Sequence, residues 1–120
     1  MSQAPILLVE DDLDIQENLK LFFEMENILV YVVSNGQEAL SYLTSGRPAR
    51  MILLDLMMPI MNGYEFLDQL TSPEYVQFSK IPVVILSASP DLHRVAQARR
   101  VSFVKKPIDI DILLEAISSA

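Results

Sequence analysis

The sequence predicts an α/β fold: a doubly wound, five-stranded parallel sheet with helices on both faces. Three observations predict it. Short apolar runs recur along the chain, at Ile6–Val9, Leu29–Val33, Met51–Leu54, Val83–Leu86 and, more weakly, Phe103–Val104. Most are continuous rather than alternating, which suits strands buried on both sides. Segments with helical spacing lie between them, so strand and helix alternate five times, and each parallel connection has to cross over the sheet.

Taken in order, Ile6–Val9 leads into a helix whose Ile15, Leu19, Phe22 and Phe23 share one face. Leu29–Val33 precedes a helix that buries Ala39, Leu40 and Leu43, and Met51–Leu54 precedes one that buries Phe66, Leu67 and Leu70. Asn35 with Glu38 and Asn62 with Glu65 resemble capping boxes at the starts of these two helices, and Asp14 with Glu17 offers a third for the first helix. Thr71–Lys80, with Ser72, Pro73 and Ser79, reads as a longer loop. After Val83–Leu86, the stretch Asp91–Arg100 carries only a thin stripe of Leu92, Val95, Ala96 and Ala98. The last helix is the clearest, with Ile110, Leu113, Leu114 and Ile117 at i, i+3, i+4 and i+7 behind Asp109 as N-cap. No linker or repeat interrupts the pattern, and 120 residues make one domain, residues 1–120.

Composition narrows the function. Hydrophobic residues make up 51% and charged residues 21%, the profile of an ordinary globular domain. The absence of cysteine excludes disulfides, thiolate metal sites and cysteine nucleophiles. With 9 basic against 16 acidic residues, the net charge of −7 disfavours non-specific binding to nucleic acid or anionic membrane. No apolar stretch approaches the ~20 residues of a membrane-spanning helix. The N-terminus lacks the pattern of a signal peptide. The expectation is a soluble, cytoplasmic protein.

In open α/β sheets, ligands bind beyond the carboxyl ends of the strands. Glu10, Asp11 and Asp12 follow the first strand, Asp55 ends the third, the fourth leads into Ser87, and Lys105, Lys106 and Pro107 follow the fifth. Taken singly, each has a plainer role: acids at a helix N-terminus, a turn aspartate, a solvated lysine. If the first, third, fourth and fifth strands lie centrally, the acids converge, and their repulsion calls for a cation. An all-oxygen donor set favours magnesium, manganese or calcium over zinc or copper.

The stretches ILLVEDD (6–12), NGQEAL (35–40), LLDLMMPIMNG (53–63), VVILSAS (83–89) and FVKKP (103–107), in this order and spacing, resemble a response-regulator receiver domain from Pro5 to about Ile117. The resemblance implies the flavodoxin-like (βα)5 topology with strand order 2-1-3-4-5. It implies Asp55 as phosphoacceptor, with Pro59 and Gly63 at the expected offsets. Mg2+ (Mn2+ as a substitute) would be held by Asp11, Asp55, the backbone carbonyl of Met57 and, mainly through water, Glu10; Asp12 falls outside the site. Ser87 matches the switch hydroxyl, Lys106 the phosphoryl-pairing lysine and Phe103 the aromatic switch, and the Lys106–Pro107 bond is expected to be cis. Lys105 should face away, because neighbouring strand residues alternate. Pro90 and the Arg99–Arg100 pair depart from a more usual glycine-containing approach to the fifth strand.

A domain of this kind takes a phosphoryl group from a histidine kinase or phosphotransfer protein and remodels the surface of the fourth helix, fifth strand and fifth helix, as a monomer or as a phosphorylation-dependent dimer. It acts on a downstream protein or output domain and is not an enzyme with a turnover substrate. Met57 and Ser89, two residues past Asp55 and Ser87, are poor at orienting water, so the phosphoryl group should be long-lived. The alternative is a phosphorylation-independent pseudo-receiver, but the acidic pair, the acceptor and the lysine are all present. A flavodoxin-type phosphate loop would not be acidic, and a haloacid-dehalogenase-type phosphatase needs a second aspartate where Met57 stands.

Overall fold

Strand and helix do alternate five times. The computed structural model describes residues 4–119. The elements are β1 (Ile6–Val9), α1 (Leu13–Met25), β2 (Val30–Val33), α2 (Gly36–Thr44), β3 (Met51–Asp55), α3 (Gly63–Leu70), β4 (Val83–Ser87), α4 (Leu92–Arg99), β5 (Ser102–Lys105) and α5 (Ile110–Ser119). All strand pairs are parallel, and the order is β2-β1-β3-β4-β5.

The continuous apolar runs have a direct structural cause. Strand side chains alternate between faces, so a strand covered on both sides must be apolar at every position. Leu7, Val9, Ile52, Leu54 and Ile85 pack with α2, α3 and α4, whereas Ile6, Leu8, Met51, Leu53, Val84 and Leu86 pack with α1 and α5. The helical stripes meet these two layers as expected: Leu19 and Phe23 on α1, Ala39, Leu40 and Leu43 on α2, Phe66, Leu67 and Leu70 on α3, and Leu113 and Ile117 on α5 are buried. On α4 the stripe narrows to Leu92 and Ala96, with Val95 half-buried and Ala98 exposed.

The edge strand β2 is only partly buried, and Leu29 lies outside it, 56% exposed. Tyr31 on this edge packs on Tyr42 of α2 with ring centroids 4.7 Å apart, and the Arg47 guanidinium sits 5.4 Å from the Tyr31 ring and 5.9 Å from the Tyr42 ring. The Tyr42 hydroxyl donates to the carbonyl of Pro48 at 2.7 Å. This stack ties the α2–β3 connection to the edge strand, which would otherwise offer an unprotected face for association.

Two local expectations are corrected. The side chain of Asp12, not Asp14, caps α1, accepting from the amides of Asp14 at 2.9 Å and Ile15 at 3.1 Å. Thr71–Lys80 is not a plain loop, because Pro73–Phe78 forms two 3₁₀ turns joined by a kink at Tyr75. Proline at its first position supplies the fixed φ of a helical start, and the short run suits the tighter helix.

Candidate functional site

Four chain segments bring the predicted residues together at the carboxyl end of the sheet. Asp55 is the last residue of β3 and is 6% exposed; Ser87 is the last of β4 and is 3% exposed; Glu10, directly after β1, is fully buried. Asp11 is exposed at the mouth. One carboxylate oxygen each from Glu10, Asp11 and Asp55 lies within 4.8 Å of the others. Lys106, one residue past β5, places its Nζ 2.9 Å from Glu10 Oε1 and 3.3 Å from Asp55 Oδ1. Its own amide donates to the carbonyl of Ser87 at 2.9 Å, which fixes the lysine beside the end of β4. The Lys106–Pro107 bond is cis. Lys105 is exposed and makes no ion pair among the described residues.

The surrounding loops are held by side chains of modest appearance. Gln16 Nε2 donates to the carbonyl of Glu10 and, at 3.3 Å, to Ser34 Oγ, joining the loops after β1 and β2. Nothing in the sequence marks this glutamine; it reads as one more polar residue on α1. Asn62 and Glu65 form a complete capping box at α3. At α2 the box is displaced by one residue: Asn35 Oδ1 accepts from the Glu38 amide at 2.9 Å, but Glu38 Oε1 accepts from Ser34 rather than from Asn35, at 2.8 Å.

Glycine matters where backbones touch. A Cβ on Gly63 would stand 2.6 Å from the Asp55 carbonyl oxygen and 2.8 Å from Leu56 Cα. Only glycine lets α3 begin this close to the end of β3. Met57 follows on the loop, 72% exposed, and its carbonyl accepts no main-chain hydrogen bond among the described residues.

The β4–α4 loop is a chain of serine turns. Ser87 Oγ accepts from the Ser89 amide at 3.0 Å, and Ser89 Oγ accepts from the Asp91 amide at 3.2 Å. Phe103 on β5 is half-buried against the α2–α4 layer, and the His93 ring of α4 meets it edge-on at 4.5 Å between centroids. The family resemblance marks Phe103; no motif marks its contact with His93.

Electrostatics follow from burial. Desolvation pushes the Glu10 carboxyl up from 4.5 to about 7; the Lys106 hydrogen bond opposes this, and the charge of Asp55 adds to it. Desolvation would pull the Lys106 ammonium down, but the Glu10 hydrogen bond and the Asp55 charge outweigh it, so the net direction is up. Lys106 therefore stays protonated, and one ammonium is shared among more than one carboxylate. The oxygen donors and the uncompensated negative charge fit a hard divalent cation.

Among the described residues, no helix is long and apolar enough to cross a membrane. The family model described as "Response regulator receiver domain" matches residues 6–118. Response regulator Rre1 of Synechocystis sp. is 36% identical over 116 residues, covering 93% of this chain and 48% of that protein. Sporulation initiation phosphotransferase F of Bacillus subtilis is 30% identical over 120 residues, covering 98% of this chain and 93% of that one. Among solved structures, the receiver domain of the Francisella response regulator 1452 superimposes with a TM-score of 0.82 at 28% identity, covering 97% and 94% of the two chains. The chain spans between about a third and about a half of several of its curated relatives, 32% of response regulator GtcR of Aneurinibacillus migulanus and 48% of Rre1 among them.

Proposed function

Because the chain belongs to the response regulator receiver domain family, we propose that it is a phosphoacceptor switch in which Asp55 takes a phosphoryl group from a histidine kinase or phosphotransfer protein. The observation that carries this reading is the convergence of Asp55 with Lys106, Ser87 and the two further acids at one sheet edge.

An Asp55 carboxylate oxygen attacks phosphorus. The bond to the donor histidine nitrogen breaks, the nitrogen keeps the electron pair, and Asp55 becomes an acyl phosphate. Charge spreads over the equatorial oxygens, so positioning and electrostatics dominate. Lys106, already 3.3 Å from Asp55, pairs with one oxygen. Asp11, Asp55, the Met57 carbonyl and Glu10 would hold Mg2+, which neutralises charge on the phosphoryl oxygens when bound. In the transfer step itself, Glu10 and Asp11 neither donate nor accept a proton. Ser87 Oγ trades the Ser89 amide for a phosphoryl oxygen. This loosens the first serine turn and lets Phe103 move into the space vacated. The surface of α4, β5 and α5 then differs between two states and carries the signal to a downstream protein or output domain. On this reading the domain is a cytoplasmic phosphoprotein that assists its own modification, not an enzyme with turnover.

Intact mass after incubation with acetyl phosphate tests it. A gain of one phosphoryl group that requires Mg2+ and is lost in Asp55→Asn is expected. No gain in the parent protein overturns the reading and leaves an interaction module that takes no phosphoryl group.

A further inference from the structure

The 3₁₀ segment Pro73–Phe78 and the α4–β5 turn enclose a groove of ≈ 900 Å³ at the opposite end of the sheet from Asp55, beside the first residues of β4 and β5. Its floor and walls are mostly apolar, with Leu70 and Phe78 among them, and Val76 stands 66% exposed at its rim.

Its charge is the reverse of the molecule's. The whole chain has 9 basic and 16 acidic residues, yet the groove is lined by Lys80, Arg99 and Arg100 and by no carboxylate. Arg99 is partly neutralised by Asp68 at 2.8 Å. Lys80 and Arg100 make no ion pair among the described residues.

Arg100 adds a second, independent observation. It caps α4 in the left-handed conformation, φ 56° and ψ 44°, which glycine adopts freely and arginine adopts at a cost. The main chain meets the turn with its own hydrogen bonds, the Arg100 amide donating to the Gln97 carbonyl at 3.3 Å and the Val101 amide to the Ala96 carbonyl at 3.0 Å, while the Arg100 side chain makes no hydrogen bond or ion pair among the described residues. What singles Arg100 out is that an unpaired cation stands on the wall of an apolar groove.

We propose that this groove docks an acidic segment of a partner protein, one that sets an aliphatic or aromatic side chain into the apolar floor and carboxylates against Lys80 and Arg100. Such a segment complements both features at once, whereas a basic or uncharged one would leave the cations unmatched. The inference uses the groove alone, and nothing in it depends on Asp55 accepting a phosphoryl group.

The test is fluorescence anisotropy on the whole chain, with a labelled short peptide of glutamates flanking a Leu-Phe pair and a second peptide in which lysines replace the glutamates. The acidic peptide should bind with an affinity that falls as salt rises, shift the amide resonances of Val76, Lys80 and Ser102, and outbind the basic one by about tenfold or more. Arg100→Gly separates a structural role from a binding role. It should raise the unfolding midpoint by relieving the backbone, yet weaken the peptide by about tenfold. Lys80→Glu should weaken it similarly with an unchanged midpoint. Equal binding of both peptides, or unchanged binding in Arg100→Gly and Lys80→Glu, overturns the proposal. So does sedimentation that shows a dimer abolished by Lys80→Glu, since the occupant would then be a second copy of this chain.

Discussion

Lys106 Nζ lies nearer to Glu10 Oε1, at 2.9 Å, than to Asp55 Oδ1, at 3.3 Å. Its nearer partner is therefore the fully buried Glu10 rather than Asp55. Removing the ammonium leaves two buried carboxylates without it. Lys106→Met should destabilise the protein by about 3–5 kcal/mol in EDTA, read by urea unfolding. Magnesium should restore part of that loss, because it supplies the missing positive charge. Asp55→Asn should do the opposite in EDTA and raise stability, since it removes one of the repelling charges. A Lys106→Met protein as stable as the parent in EDTA would show that the pairing contributes nothing.

Glu10 gives the metal-free fold a pH dependence of definite sign. Its carboxyl is pushed up by burial, from 4.5 to about 7 in the folded chain. The folded state then binds the proton more tightly than the unfolded state does. The stabilisation is full below the unfolded value and is lost as pH rises through about 7. Between about pH 6 and about pH 8 the loss is on the order of 1 kcal/mol. Magnesium favours the ionised acid, so binding should release a proton near neutrality and raise the melting temperature more at the higher pH. Thermal unfolding with and without Mg2+ at the two pH values checks this. An equal metal effect at both would overturn it.

These two arguments rest on residues legible in the sequence, and the reason is physical. Strand ends in a doubly wound sheet are fixed by the hydrophobic runs, so whatever follows each run lands at one edge. That ground puts Asp55, Ser87, Glu10 and Lys106 at strand ends, together with Asp12 and Lys105; the strand order and the choice among them come from the family resemblance. The local details that sequence reading misses depend on competition between neighbours. Asp14 with Glu17 is the expected cap of α1, but the helix starts earlier and Asp12 caps it. Pro73 marks the segment as a loop, yet at the first position of the 3₁₀ turns it supplies their opening φ. Gln16 and His93 make contacts across element boundaries, with Ser34 and Phe103, which no periodicity encodes. The site of Asp12 can be checked directly: Asp12→Ala should cost ~1 kcal/mol of stability as a lost cap and leave the magnesium affinity unchanged.

The lifetime of the phosphoryl group follows from what stands beside it. Met57 is exposed next to the acceptor strand and offers a thioether, a weak hydrogen-bond partner. Ser89 Oγ is engaged by the Asp91 amide at 3.2 Å. Neither is placed to orient an attacking water. The phosphorylated protein, separated from donor, should lose its label slowly, and Met57→Asn should shorten the lifetime several-fold by supplying an amide. Loss within seconds in the parent protein, followed by phosphate release, would sink the idea.

Gly63 makes the position of Asp55 depend on the absence of one methyl group. Helix propensity on its own favours alanine at a helical position. The new Cβ, however, would lie 2.6 Å from the Asp55 carbonyl oxygen and 2.8 Å from Leu56 Cα, both main-chain atoms that cannot swing aside. Overpacking of this kind costs ~1–3 kcal/mol, so Gly63→Ala should lose stability despite the better propensity. Because the atoms that must shift belong to the end of β3, magnesium affinity should fall with it. Gly46→Ala is the matched control. Gly46 has φ +89° and nothing within 4 Å of its virtual Cβ, so the change strains the α2–β3 turn without reaching the site. It should cost on the order of 1 kcal/mol and leave magnesium binding as it was. Urea unfolding and a magnesium titration on the two variants separate the cases, and a Gly63→Ala protein with unaltered metal affinity would mean that the close approach of α3 to β3 does not hold the acceptor in place.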